Sequence, residues 1–152
     1  MKFPSFQHIS PPLRLFQGNE SLDRLGSELE RINSRRAVIV CGSSLEREGA
    51  ALAQVRQAMG ERCAGIFAGV RAHSPLSSVE LASEELKRLE ADAVVAVGGG
   101  SAIVTARAAS ILLAEKGDAQ ALSTTVDDKG RLHSPKLMAA KLPQLIVPTT
   151  PT

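Results

Sequence analysis

Ala91-Asp-Ala-Val-Val-Ala-Val-Gly-Gly-Gly-Ser-Ala-Ile-Val-Thr-Ala-Arg-Ala-Ala-Ser-Ile-Leu-Leu-Ala114 is the stretch whose reading decides the fold. Ala93 to Val97 is a short, uninterrupted apolar run with three valines, the pattern of a strand buried on both faces of a parallel sheet. Three glycines end the run. From Ser101 onward Ile103, Ala106, Ser110 and Leu113 fall close to one helical face, so Gly98-Gly99-Gly100 joins a strand's carboxyl end to a helix's amino end. Free backbone N–H groups and the positive end of the helix dipole meet at such a junction, and glycine lets a phosphate approach without a Cβ in its way. Taken alone, the glycines are equally compatible with a tight turn that holds no ligand. The G-x-G-x-x-G fingerprint is absent, because Ser101, Ala102 and Ile103 follow the third glycine, and there is no Gly-Lys-Ser phosphate loop.

Working outward, the flanking segments alternate in type. Prolines mark residues 1–12 as irregular or edge structure, and Leu13-Arg-Leu-Phe16 reads as a short strand closed by Gly18. Leu22, Leu25, Leu29 and Ile32 make one helical stripe between about residues 20 and 33, with Asn19 or Ser21 as its cap. Ala37-Val-Ile-Val-Cys41 is a second buried strand, ended by Gly42-Ser43-Ser44. A helix over 45–59 then packs Leu45, Leu52, Val55 and Met59 inward and stops at Gly60. Cys63 to Phe67 is a third strand and 69–75 a loop. Ser77-Ser-Val-Glu80 has capping-box spacing, and Val79, Ala82, Leu86 and Leu89 form the next helical stripe. Beyond Glu115 the composition turns polar, Asp127-Asp-Lys-Gly130 signals a turn, and Leu132-His-Ser-Pro135 reads as a tethered loop or hairpin before a last apolar strand, Leu145-Ile-Val147.

This alternation predicts an α/β fold: a three-layer, Rossmann-like, mostly parallel sheet with helices on both faces and right-handed crossovers. Ligands of such sheets bind beyond the strands' carboxyl ends, which points to Gly42-Ser43-Ser44, Gly98 to Ser101, and Pro148-Thr149-Thr150. A chain of 152 residues is one domain's worth, able to bury roughly 70% of the surface it exposes unfolded. With 43% hydrophobic residues but only 3% aromatics, and no Trp or Tyr, the core must be aliphatic and alanine-rich. A net charge of +2 without a basic block gives nucleic-acid binding no support, and no apolar run suits a secretory leader or a membrane span. Cys41 and Cys63 are too far apart for a C-x-x-C motif and read as buried thiols of a reducing cytoplasm. His8, His73 and His133 have no ligand spacing, and no Ser-His-Asp or Cys-His arrangement can be argued.

With these segments placed, the chain resembles the amino-terminal, nucleotide-binding half of the iron-containing alcohol dehydrogenases, the family that includes maleylacetate reductases. The resemblance runs through Phe16-Gln-Gly18, Ala37-Val-Ile-Val40, Ile66-Phe-Ala-Gly-Val70, Asp92 to Ser101, Thr105-Ala-Arg107 and Leu142-Pro-Gln-Leu-Ile-Val-Pro-Thr-Thr150. Dehydroquinate synthases and glycerol dehydrogenases share the architecture, but Ser101 with Thr105-Ala106 is more similar to the alcohol dehydrogenase branch, and Val70-Arg-Ala-His-Ser-Pro75 resembles the maleylacetate reductase loop. Where the family reads Gly-Gly-Gly-Ser-x-x-Asp-x-Ala-Lys, this chain has Val104 and Arg107, a departure that leaves the substrate open.

The resemblance implies that the pyrophosphate of NAD or NADP lies on Gly98, Gly99, Gly100 and Ser101, with Thr149 and Thr150 nearby and the adenosine end toward Gly42 and Ser43. Threonines after a strand also serve as ordinary caps, and Arg107 reads as a solvated helical arginine that is long enough to reach a phosphate. The implied partners are a dinucleotide and a small alcohol or carbonyl substrate. The family's iron or zinc is held by an Asp and three His residues of a helical carboxyl-terminal domain. The expectation is therefore of an amino-terminal NAD(P)-binding domain over residues 1–152 that lacks the metal-binding domain, is inactive alone, and exposes an apolar interface favouring a homo-oligomer. The alternative class is a non-catalytic nucleotide-binding module or remnant. Many NAD-using relatives carry an Asp where Gly42 stands, so loss of that carboxylate predicts that NADP is tolerated, with the two dissociation constants within about tenfold.

Overall fold

The computed structural model describes residues 12–149. Its elements in chain order are α1 (Arg24–Arg31), β1 (Ala37–Gly42), α2 (Ser43–Glu48), α3 (Ala50–Met59), β2 (Cys63–Val70), α4 (Leu76–Arg88), β3 (Ala93–Gly98), α5 (Gly100–Glu115), β4 (Thr125–Val126), β5 (Leu132–His133) and β6 (Gln144–Pro148). Four strands form a wholly parallel sheet in the order β2-β1-β3-β6, and β4 pairs antiparallel with β5 in a separate hairpin.

Alternation along β1 and β3 builds two cores from two strands. Ala37, Ile39, Cys41, Ala93, Val95 and Val97 face Leu25 and Leu29 of α1 and Leu52, Val55 and Met59 of α3. Val38, Val40, Val94 and Ala96 face the other way, onto Val79, Ala82 and Leu86 of α4 and Ala106 and Ala109 of α5. Helices thus cover both faces, as a sheet with apolar central strands requires, and the fold is the expected three-layer, Rossmann-like one. Each fully buried valine or leucine contributes about 1.5–3 kcal/mol. The alanines on α5 let that helix approach the sheet and α4 closely.

At the amino end of the sheet one carboxylate sets the level of the two central strands. Asp92 accepts hydrogen bonds from the Ser34 hydroxyl (2.5 Å) and from the backbone N–H of Arg35 (2.7 Å) and Arg36 (3.0 Å), while its own N–H donates to the Arg36 carbonyl (3.1 Å). Ala37 and Ala93 are consequently opposite one another. Burial works to raise the Asp92 pKa, but the bonds from Ser34, Arg35 and Arg36 outweigh it and hold the carboxyl below its ordinary value.

Several local expectations are corrected. Leu13 to Phe16 forms no strand; it runs beside α1 with Arg14 paired to Glu28 (3.0 Å), and Leu13 and Leu15 point largely into solvent. The first helix is shorter than its stripe, because Gly18 to Asp23 is a succession of turns, and Asp23 rather than Asn19 or Ser21 stands at its N-cap position. The helix expected over 45–59 starts at Ser43 and is cut in two by Gly49, whose φ of +69° ends one turn run and begins another. The third strand runs on to Val70 through pairing with β1, leaving only 71–75 as loop. No capping box forms at α4: Pro75 is its N-cap, and its carbonyl accepts from Ser78 (2.8 Å) and Val79 (3.2 Å). Residues 132–133 resolve the loop-or-hairpin alternative as a hairpin.

Candidate functional site

Sheet order places the candidate site before any side chain is considered. From β1 the chain crosses to β2 on one side of it, while β3 lies on the other side, so the connections that follow β1 and β3 part on opposite faces of the sheet. A crevice opens at the carboxyl ends of strands where the order divides in this way. The turns Gly42-Ser43-Ser44 and Gly98 to Ser101 flank that crevice.

Gly98 ends β3 with φ +139°, a conformation that L side chains rarely adopt, and a Cβ there would stand 3.2 Å from the Ala102 Cβ. Gly99 is the N-cap of α5; its carbonyl accepts from Ala102 (3.0 Å) and Ile103 (3.3 Å). The N–H groups of Gly99, Gly100 and Ser101 have no acceptor among the described residues. A Cβ on Gly100 would meet nothing within 4 Å, so the space above these donors is open. The glycines therefore serve different ends, Gly98 the backbone turn and Gly100 the clearance.

A cleft of about 380 Å³ lies over this turn. Gly42, Ser44 and Leu45 wall it at the end of β1, Arg71 and Ala72 at the end of β2, Gly98 to Ala102 along the start of α5, and Thr149 at the end of β6. The volume is within the usual range of small-molecule sites. The loop after β2 is fastened to α5 twice, since the His73 N–H donates to the Ser101 hydroxyl (3.1 Å) and the Ser74 hydroxyl to the Ser101 carbonyl (2.9 Å). On the far side the Thr149 N–H donates to the Gly98 carbonyl (3.2 Å). The turn is thus braced from both flanks while its amides meet no cover among the described residues. That combination suits a phosphate, because rigid donors need no reorganisation to accept it.

Of the residues singled out in sequence, Gly42, Gly98, Gly99, Gly100, Ser101 and Thr149 are brought together around one cleft. Ser43 is exposed at the start of α2 beside it, Thr150 lies outside the described residues, and Arg107 is exposed on α5 away from the cleft. Arg71 and Ala72, which the sequence marks only as part of the family-like Val70 to Pro75 loop, wall the same cleft. The signal that finds them is the length of β2: once the strand reaches Val70, the next residues emerge at the same end as the glycine turn.

Cys41, immediately before Gly42, is fully buried, and burial, helped by Glu46, pushes its thiol up to about 11. It is a packed core group and not a nucleophile at neutral pH. His133 pairs with Asp127 (3.1 Å) in the hairpin, and His8 lies outside the described residues. Among the described residues no three His, Cys, Asp or Glu side chains come together, so these residues do not fit an iron or zinc site. No helix among the described residues is long and apolar enough to cross a membrane.

Known proteins with the same pattern were found by sequence and by structure. A family model described as iron-containing alcohol dehydrogenase matches residues 12–152. The chain is similar to a maleylacetate reductase of Sphingobium indicum, 33% identical over 102 residues, or 67% of this chain and 28% of that protein. It is also similar to maleylacetate reductase 2 of Cupriavidus pinatubonensis, 37% identical over 101 residues, 66% of this chain and 27% of that protein. The chain thus aligns with well under a third of either relative's length. Among solved structures, an archaeal alcohol dehydrogenase from a Red Sea brine pool superposes with a TM-score of 0.78 at 20% identity, over 95% of this chain and 36% of the other. The maleylacetate reductase of Agrobacterium tumefaciens gives 0.61 at 22% identity, over 96% and 43%. At these identities the superpositions speak to fold alone; the match of the family model across nearly the whole chain shows more, and this protein belongs to the iron-containing alcohol dehydrogenase family of oxidoreductases.

Proposed function

We propose that this chain is the nucleotide-binding part of a metal-dependent, NAD(P)-linked oxidoreductase of the alcohol dehydrogenase or maleylacetate reductase type, acting on an alcohol, ketone or aldehyde group. One observation carries the reading: three consecutive N–H groups without acceptors among the described residues, at the amino end of a sixteen-residue helix, lie at the crevice where the sheet order divides. Gly98, Gly99, Gly100 and Ser101 would hold the pyrophosphate, with Thr149 and Thr150 nearby and the adenosine end toward Gly42 and Ser43. The dinucleotide supplies or takes a hydride. The protein's own contribution in this region is to bind and orient. The amides would donate hydrogen bonds to the phosphate, Gly100 leaves room for its close approach, and the His73 and Ser74 bonds fix the helix end that would hold it.

On this reading residues 1–152 are the NAD(P)-binding domain, the metal is held by residues outside them, and the free thiols suit a reducing cytoplasm. Titration with NADH and NADPH tests the proposal, and because the chain has no Trp or Tyr, cofactor fluorescence is read without protein background. Micromolar binding that is abolished in a folded Gly99→Val variant is the expected result. Unchanged affinity in that variant would reduce the glycines to a bare turn.

A further inference from the structure

Among the described residues, Arg71 is the one charged residue that walls the cleft. Its surroundings, among the described residues, are those of a cation without a counter-charge. The guanidinium donates to the Ser77 hydroxyl in the first turn of α4, and the same cleft is bounded by the first turn of α5. Both helices present their positive ends there, where a cation is disfavoured and an anion favoured. The adjoining elements carry acids, among them Glu46 on α2 and Glu80 on α4, but none forms an ion pair with Arg71 among the described residues. The wall that faces Arg71 offers glycine and serine, not a carboxylate.

The register says which part of a dinucleotide would meet this charge. Val70 is the partner of Gly42 across the β1–β2 ladder, so Arg71 leaves the sheet one residue beyond the turn that follows β1. The pyrophosphate cradle belongs to the next strand over, β3. On the dinucleotide reading the adenosine end lies toward the turn after β1, and at the adenosine ribose of such crevices an acid bonds the 2′-hydroxyl whereas an arginine nearby accommodates a 2′-phosphate. Here the turn has Gly42, which cannot repel a phosphate, and the neighbouring strand end has a guanidinium matched to bind one in bidentate fashion. The backbone beneath Arg71 is fixed as well, since the Ser74 N–H donates to the Arg71 carbonyl (3.1 Å) and the Ser78 hydroxyl to the Gly69 carbonyl (2.7 Å).

We infer that Arg71 is a specificity-determining residue that binds the 2′-phosphate of NADP and makes this site prefer NADP to NAD by more than the tenfold that loss of a carboxylate alone would allow. The inference rests on the dinucleotide reading of the cleft. The test titrates the 152-residue chain with NADPH and NADH, and separately with 2′-AMP and 5′-AMP as competitors, in wild type, Arg71→Ala and Arg71→Lys. The expected result is NADPH at least tenfold tighter than NADH in wild type, and 2′-AMP a better competitor than 5′-AMP. Arg71→Ala should weaken NADPH at least tenfold while moving NADH less than threefold, and Arg71→Lys should restore part of the preference. Binding of both cofactors with no NADPH preference, or an equal loss of both in Arg71→Ala, overturns the inference and leaves the dinucleotide reading standing. Failure of both cofactors to bind the folded wild type overturns both.

Discussion

β3 and β6 are hydrogen-bonded neighbours with similar apolar runs, Ala93-Val-Val-Ala-Val97 and Leu145-Ile-Val147, yet they end in different environments. Every residue of β3 is buried, whereas none of β6 is, and Ile146 is 43% exposed. Composition does not explain the contrast. β3 has a strand on each side and helices on both faces; β6 is the last strand of the sheet, and its outer side lines a groove of about 610 Å³ shared with residues 12–18 and α1. The glycine turn extends from the fully packed strand, so its amides are aimed by a segment that cannot shift without opening two cores. Rigidity at the candidate site is thus a consequence of central position in the sheet, and the edge is where the fold tolerates change.

Substitutions of equal chemistry in a central strand and in the edge strand sharpen that contrast most. Ile39→Ala in β1, at a site with no exposure, should cost about 2–5 kcal/mol, whereas Ile146→Ala in β6 should cost about 1 kcal/mol or less. Urea unfolding of both variants checks this, and comparable losses would mean that the edge is packed as tightly as the centre. Asp92 gives the next largest effect. Asp92→Ala strands the buried Ser34 hydroxyl and two amides and should cost about 1–3 kcal/mol. Because the folded-state pKa of Asp92 is lowered, its contribution is complete above the unfolded pKa near 4 and disappears as the pH falls through the lower folded value. Unfolding free energies measured between pH 6 and 2 should therefore show a steeper acid loss in wild type than in Asp92→Ala; parallel curves would refute the clamp.

Gly98→Ala tests the turn itself. The positive φ and the 3.2 Å approach to Ala102 predict a loss of about 1–3 kcal/mol, while Gly100→Ala, with open space above it, should change stability by under about 1 kcal/mol. Thermal melts of the pair decide it, and a harmless Gly98→Ala would show that the turn relaxes freely. The smallest effect separates the two cysteines. Cys63, half-buried at the start of the edge strand β2, should react with a thiol reagent in the native state at pH 8, and Cys41 only on unfolding. Mass spectrometry of the labelled peptides reads the order, and equal labelling would erase the difference between centre and edge.

The sequence by itself determined most of the architecture. Runs such as Val38-Ile-Val40 and Ala93 to Val97 are too apolar to sit anywhere but between two helical layers, and stripes such as Val79, Ala82 and Leu86 supply the covering faces. It also picked out the glycine turn, because a strand that stops at three glycines before a helix has few other geometries. Local elements were legible only where burial agreed with pattern. Leu13 to Phe16 alternates like a strand but forms no ladder among the described residues, and the stripe through Leu45 and Leu52 conceals the break that Gly49 imposes. The tertiary structure alone decided which apolar strand is central, that β2 continues to Val70, and that Arg71 therefore stands at the same crevice as Gly42 and Ser101. Periodicity records which face of an element is apolar, a property of neighbouring residues. Strand order, register and convergence at one end of a sheet depend on pairings between residues far apart in the chain, which the local pattern does not encode.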